Sequence, residues 1–352
     1  MGRTHVVDLV ADEVHHMGAP HLREYLPDAI RARLGLSATP ERWYDDEGTG
    51  ALMSYFTSGI VFEYGLGAAI ENGHLSEYYY VPHVVELTDE EAEDYLEISR
   101  AIGRLLHGAD SGGDLDRAGD EEIQQLLIRR SRLVGTARNK VDVLRRIVAA
   151  MGPAELSHAL VYCGDGSLAV EEGGEGDGDS IGEEPELKRQ LRMVTELLGT
   201  QMQIRAHQFT YEEGRATRER LLDDFETGGL QALVAIRCLD EGVDVPATKT
   251  AFMLASSSNP RQFVQRRGRI LRPHEDKRHS TIHDFVVSPP APLEGGPTDT
   301  FGVERNLLRG QLDRVETFTR HAKNHPDAEL DGIPTTSGSL RELKRNFNLL
   351  DM

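Results

Sequence analysis

The chain of 352 residues has two cysteines, one tryptophan and only six lysines, and nowhere does a lysine directly follow a glycine. Cys163 and Cys238 each sit in an apolar, strand-like run with no second ligand pair nearby. That excludes a disulfide framework and a cysteine-type zinc site and reads as buried thiols. No apolar run has the length of a membrane span, and the N-terminus lacks the charged-then-apolar order of a secretory signal. "MGRTHV" has Val6 where a myristoylation motif needs Ser or Thr. These absences point to a soluble, cytoplasmic protein. Without a Gly-Lys pair, the glycine-rich loop that cradles nucleotide phosphates cannot be built from this chain. There is also no internal repeat of solenoid period.

What is present is acid, unevenly spread. The formal charge of -20 argues against nucleic acid until its distribution is considered. Residues 165–186 carry nine acids and no Lys or Arg, and residues 89–121 carry eleven acids against three arginines, which leaves only -3 for all the rest. The first of these segments is Gly-rich and short of large apolar residues, the composition of a disordered surface insertion. Of the 39 basic residues 33 are Arg, concentrated in "NPRQFVQRRGRILRPHEDKR". Arg favours bidentate phosphate contacts; a high-GC genome or a saline cytoplasm would also raise Arg or acid.

Periodicity divides the chain into units. Residues 1–87 alternate strand-like runs ("HVVDLVAD", "ARLGLS", "GIVFEYG", "YYYVPHVVEL") with short helical segments, too few crossovers for a complete parallel sheet. Thr88 and Glu91 open a capping box, and residues 88–134 read as a helical connector. From 135 to 290 strand and helix alternate throughout, as in a doubly wound sheet, with the acidic insertion at 165–186. Residues 291–352 read as a helical tail without identifiable chemistry. Within it "HAKNHPD", His321 to Asp327, falls one residue short of a phospholipase-D-type nuclease signature and is a chance match.

Two adjacent carboxylates, Asp12 and Glu13, end the first strand-like run. In open parallel sheets that edge binds ligands, although Asp also caps helices, and an isolated Asp-Glu pair is ambiguous. Three more patterns follow in order: "LGLSATPER" at 34–42, "RCLDEGVDVP" at 237–246 and "QRRGRILRP" at 265–273. Together with "DEVHH" at 12–16 they resemble the superfamily-two helicases and DNA translocases. Within these, they are similar to the branch of XPB-type repair helicases and restriction-enzyme motors. The resemblance runs from residue 5 to about 287. It implies an α/β fold of tandem RecA-like parallel sheets, the first incomplete, joined by a helical connector and followed by a helical C-terminal tail.

The resemblance also implies roles. Phosphoryl transfer needs a metal, an oriented water and cations that neutralise developing charge. Asp12 matches the carboxylate that holds Mg2+ through water, and Glu13 the one that polarises the attacking water. His15 matches a histidine that contacts the last motif across a cleft, at Gln265, while His16 reads as surface. Arg269 and Arg272, three apart on one helix face, match the arginine fingers, and Gly242 and Asp244 match nucleotide-proximal positions. Ser37 and Thr39 match a segment that couples nucleotide state to nucleic acid. Arg266 and Arg267 fit a solvated basic face or a DNA-backbone patch. The implied cofactors are ATP and Mg2+, and the implied partner is nucleic acid, DNA before RNA. Because the phosphate loop is missing, the chain reads as part of a motor completed by an N-terminal helicase segment or another subunit. The alternative is a non-enzymatic, helicase-derived fragment that binds nucleic acid or a partner.

Overall fold

A computed structural model describes residues 8–27, 29–30, 32–42, 45–57, 59–110, 117–164, 185–210, 212–236, 245–255, 260–290, 298–324 and 337–349. The acidic insertion, but for its last two residues, and the stretch with Cys238, Gly242 and Asp244 lie outside these. Strands β1 (Asp8–Ala11) and β2 (Ala32–Gly35) pair in parallel, from Asp8↔Ala32 to Ala11↔Gly35. A 3-10 turn at Val14–Gly18 and the short helices α1 (Pro20–Arg23), α2 (Asp46–Tyr55) and α3 (Leu66–Glu71) accompany them. Asp45 caps α2 by accepting a hydrogen bond from the Gly48 N–H at 2.7 Å. "GIVFEYG", expected as a strand, forms no strand and has no ladder partner among the described residues, and Ile60, Val61 and Phe62 are exposed. Its composition suits a strand, but a strand forms only where a neighbour supplies the other half of its hydrogen bonds.

The larger sheet has six parallel strands in the order β3-β8-β7-β4-β6-β5. These are β3 (Glu77–Glu86), β4 (Ala159–Tyr162), β5 (Ala206–Phe209), β6 (Ala232–Ala235), β7 (Thr250–Met253) and β8 (His279–Ser288). β3 belongs here and not with the first unit, to which the boundary at residue 87 would assign it: it pairs with β8 from Glu77↔His279 to Glu86↔Ser288. Tyr78, Tyr80, Val81 and Val85 are all buried, and an apolar strand of this kind needs cover on both faces, which a two-stranded sheet lacks.

Helices α4 (Asp89–Asp110) and α5 (Arg117–Gly135) form the connector and pack on each other. The capping box is formed: the Thr88 N–H donates to Glu91 Oε2 at 3.0 Å and the Glu91 N–H to Thr88 Oγ1 at 3.3 Å. Helices α6 (Asn139–Met151) and α7 (Pro185–Glu196) cover one face of the sheet, with Leu144, Val148 and Val194 against Val161 and Phe285. Helices α8 (Arg215–Glu226), α9 (Pro260–Ile270), α10 (Thr298–Thr319) and α11 (Ser337–Asn346) cover the other. The tail is therefore part of the core: Leu312, Val315, Phe318, Leu343 and Phe347 pack beneath Tyr78, Tyr80 and Ile282.

One buried ion pair fixes the tail in place. Arg314 on α10 donates to both oxygens of Asp284 on β8, at 2.8 and 3.3 Å, and the Tyr80 hydroxyl donates to the same carboxylate at 2.8 Å. A carboxylate with 1% exposure is tolerable only when so paired. Residues of the "HAKN" stretch protect the sheet's edge strand β3. The Lys323 N–H donates to Tyr78 O, and the Asn324 amide both accepts from the Tyr80 N–H and donates to Tyr80 O, each at 2.8 to 2.9 Å. Among the described residues no helix is long and apolar enough to cross a membrane.

Candidate nucleotide site at the junction of the two sheets

β1 delivers Asp12 and Glu13, both exposed, at its C-terminal end. Two backbone bonds brace this strand end against the exit of β2: the Leu36 N–H donates to Ala11 O at 2.8 Å and the Val14 N–H to Leu36 O at 2.9 Å. Between them the chain turns sharply, and Glu13 takes left-handed angles, φ 47° and ψ 46°. For a residue with a Cβ that conformation is disfavoured, and such strain concentrates at functional sites.

The 3-10 turn buries His15 with 1% exposure. Its Nδ1 lies 2.9 Å from Ser37 Oγ and 3.5 Å from Glu13 Oε2. Ser37 Oγ also accepts from the Thr39 N–H at 3.2 Å, which closes the "SAT" turn after β2. Glu13 Oε1 in turn lies 3.3 Å from Gln265 Nε2 on α9. The histidine was expected to reach Gln265 directly. Instead its ring is turned to the segment that follows β2, where Ser37 lies, and Glu13 makes the contact to α9.

Arg42 closes "LSATPER". It has 6% exposure, donates from Nη1 to His15 O at 2.6 Å and from Nε to Asp45 Oδ2 at 2.7 Å. It thus bolts the carboxylate turn to the start of α2. A Cβ on Gly18 would meet Arg42 Cδ at 2.7 Å, and one on Gly48 would meet Arg42 Nε at 2.8 Å, so both glycines make room for the guanidinium and its stem.

On α9, Phe263, Arg266, Arg267 and Ile270 are buried, an i, i+3, i+4, i+7 stripe. This overturns the reading of Arg266 and Arg267 as a solvated or DNA-facing patch. Arg266 lies over the Tyr162 ring at 5.3 Å and donates to Ala255 O at 3.3 Å. Arg267 lies over Phe318 at 4.9 Å and donates to Thr317 O at 2.8 Å. Burial lowers the Arg267 pKa. Aromatic faces and carbonyls replace water around these guanidinium groups while the stems pack as hydrocarbon.

The remaining face carries Gln265 and Arg269, one turn apart and partly exposed. Arg272 is exposed and lies beyond the helix, which ends at Ile270; its N–H bonds Arg269 O at 3.4 Å. The two arginines are therefore joined by a turn and do not share a helix face as their spacing suggested.

Among the described residues no group of three or more His, Cys, Asp and Glu side chains could hold a metal ion by itself. Asp12 fits a different arrangement. Mg2+ keeps several waters and is bound through one or two carboxylates plus substrate phosphates, so an exposed carboxylate at a strand end is an adequate protein share.

Residues 186–274 match the helicase conserved C-terminal domain. The DNA 3'-5' translocase XPB2 of Sulfurisphaera tokodaii is 25% identical over 273 residues, which cover 75% of this chain and 55% of the translocase. Rad25 of Haloarcula marismortui is 27% identical over 288 residues, 79% of this chain and 36% of Rad25. The chain thus spans about half the length of the first of these relatives and about a third of the second. Among solved structures, the Pyrococcus furiosus Hef helicase domain aligns with a TM-score of 0.48 at 14% identity, over 82% of this chain and 73% of that one. The architecture is α/β, a six-stranded parallel sheet beside a small two-stranded one. Over the matched residues the chain is similar to the C-terminal portion of these helicases.

Proposed function

We propose that this chain is part of an ATP-dependent DNA motor in which Asp12 and Glu13 on one sheet and Arg269 and Arg272 beside the other act on a nucleotide between them. The observation that carries the reading is the approach of Gln265 to Glu13, which brings the arginine-bearing end of α9 to the same junction as the carboxylates. Asp12 would hold Mg2+ through water, Glu13 would orient the attacking water, and Arg269 and Arg272 would neutralise charge on the transferred group. Bound Mg2+ supplies charge neutralisation at the phosphates. The Ser37–His15–Glu13 chain would carry changes at the nucleotide to the loop after β2, the coupling role of Ser37 and Thr39. Gly242 and Asp244 are assigned to the nucleotide site on the same motif grounds.

The phosphate loop has to come from elsewhere, since no Gly-Lys pair exists in this sequence. Exposed Val10 and Leu34 on the two-stranded sheet, and exposed Ile60, Val61 and Phe62 in a strand-like sequence that pairs with no strand among the described residues, support completion of the first sheet by further strands. The same missing pair favours a second reading, a non-enzymatic fragment that binds nucleic acid or a partner. Supplying in trans a first-domain segment that carries a phosphate loop separates the two. DNA-stimulated ATP hydrolysis that disappears with Glu13→Gln supports the motor; binding of the segment and of DNA without hydrolysis supports the fragment.

A further inference from the structure

Lys277 precedes β8 and has 7% exposure. Its backbone N–H donates to His274 O at 3.0 Å, which holds the turn from 274 to 277 closed. Its ammonium donates to Pro246 O at 2.7 Å and to Ile270 O at 2.9 Å. These two carbonyls belong to segments far apart in sequence that both serve the proposed nucleotide site. Ile270 ends α9, between Arg269 and Arg272, and Pro246 closes the "DEGVDVP" motif that holds Gly242 and Asp244. Fully buried Ser280 lies at the same place, with Oγ 3.2 Å from Ile270 O and 3.3 Å from Thr248 O.

The last carbonyls of a helix have no partner within the helix, and a lysine near the C-terminus is a common way to satisfy them. Lys277 does more, because one ammonium has three donors and here divides them between two segments. Pro246 and the end of α9 are thereby held at a fixed separation by a group that belongs to neither segment. Each lies next to a motif whose spacing has to be right for in-line chemistry, where a displacement of about 1 Å can cost on the order of 10²-fold in rate.

We propose that Lys277 is a positioning residue that sets the arginine turn at 269–272 against the motif ending at Pro246. This rests on the motor reading above, and it assigns a role to a side chain outside every motif that supports that reading.

The test uses Lys277→Met, which keeps the apolar stem and removes the donors, and Lys277→Arg, which keeps donors. Both are measured in the full chain, alone and with the phosphate-loop segment supplied. In the completed motor Lys277→Met is expected to lower kcat for ATP by about 10²-fold with KM within about twofold, and Lys277→Arg to recover most of the loss. In the chain alone, amide hydrogen exchange should rise in residues 245–249 and 268–272 together for Met and stay near the wild-type level for Arg. An unchanged kcat, a loss shared equally by Met and Arg, or exchange that rises in only one segment or in neither overturns the proposal. If the wild-type motor itself hydrolyses no ATP, the motor reading is what fails, and the exchange result still decides whether Lys277 couples the two segments.

Discussion

Gln265 Nε2 lies 3.3 Å from Glu13 Oε1 across 252 positions of sequence. The contact joins a strand end of the small sheet to the helix that flanks the large one. It explains why a carboxylate in a disfavoured backbone conformation is useful here: the turn at Glu13 leaves one oxygen towards α9 and the other towards His15.

In the motor completed with a phosphate-loop segment, Arg269→Ala and Arg272→Ala are each expected to reduce ATP turnover by about 10³ to 10⁵, with thermal stability almost unchanged. Neither side chain is part of the buried stripe of α9. Steady-state kinetics beside a melting curve checks this, and turnover within tenfold of wild type for both would remove them from the site.

Arg42→Ala should behave in the opposite way. It strands the His15 carbonyl and the Asp45 carboxylate and leaves the space that Gly18 and Gly48 keep open, a loss on the order of 3 kcal/mol. Hydrogen exchange should rise in residues 12–18 and 45–49 while the six-stranded sheet keeps its protection.

A pH effect is expected from a histidine pair in the large sheet. His83 Nε2 and His283 Nδ1 lie 3.0 Å apart, both side chains are fully buried, and His283 stacks on Phe252. Burial lowers the His83 pKa from 6.5 to about 4 and depresses that of His283 well below its ordinary value, with the neighbouring His83 adding to the effect. Between pH 6.5 and 4 the unfolded chain binds protons that the folded chain refuses, so stability is complete above 6.5 and falls as the pH drops towards 4. For His83 the loss is on the order of 3 kcal/mol. Urea titrations at pH 8 and pH 5 should show it, and a His83→Phe, His283→Phe double variant should flatten it.

Deleting residues 167–184 removes seven acids and no base. Non-specific affinity for duplex DNA should rise several-fold at low salt, and the gain should shrink as salt screens it. Fluorescence anisotropy over a salt series measures this; weaker binding after deletion would contradict it.

The alternation of elements from 135 to 290 is legible in the residues, because helical and strand periodicities are local and each apolar face needs only some partner. So are the Thr88–Glu91 box, whose atoms lie within one turn, and the strand-end position of Asp12 and Glu13. The rest depends on contacts between segments distant in sequence. β3 could join either sheet by its pattern, and it went where both of its faces could be covered. Arg266 and Arg267 look like surface because arginine is charged, yet the rings of Tyr162 and Phe318 and nearby carbonyls take the place of water around them. His15 found Ser37 and not Gln265 because a 3-10 turn, whose exact angle no motif encodes, aims the ring inward. The tail looked inert because its core residues and Arg314 acquire meaning only against Tyr80 and Asp284, on strands folded far upstream.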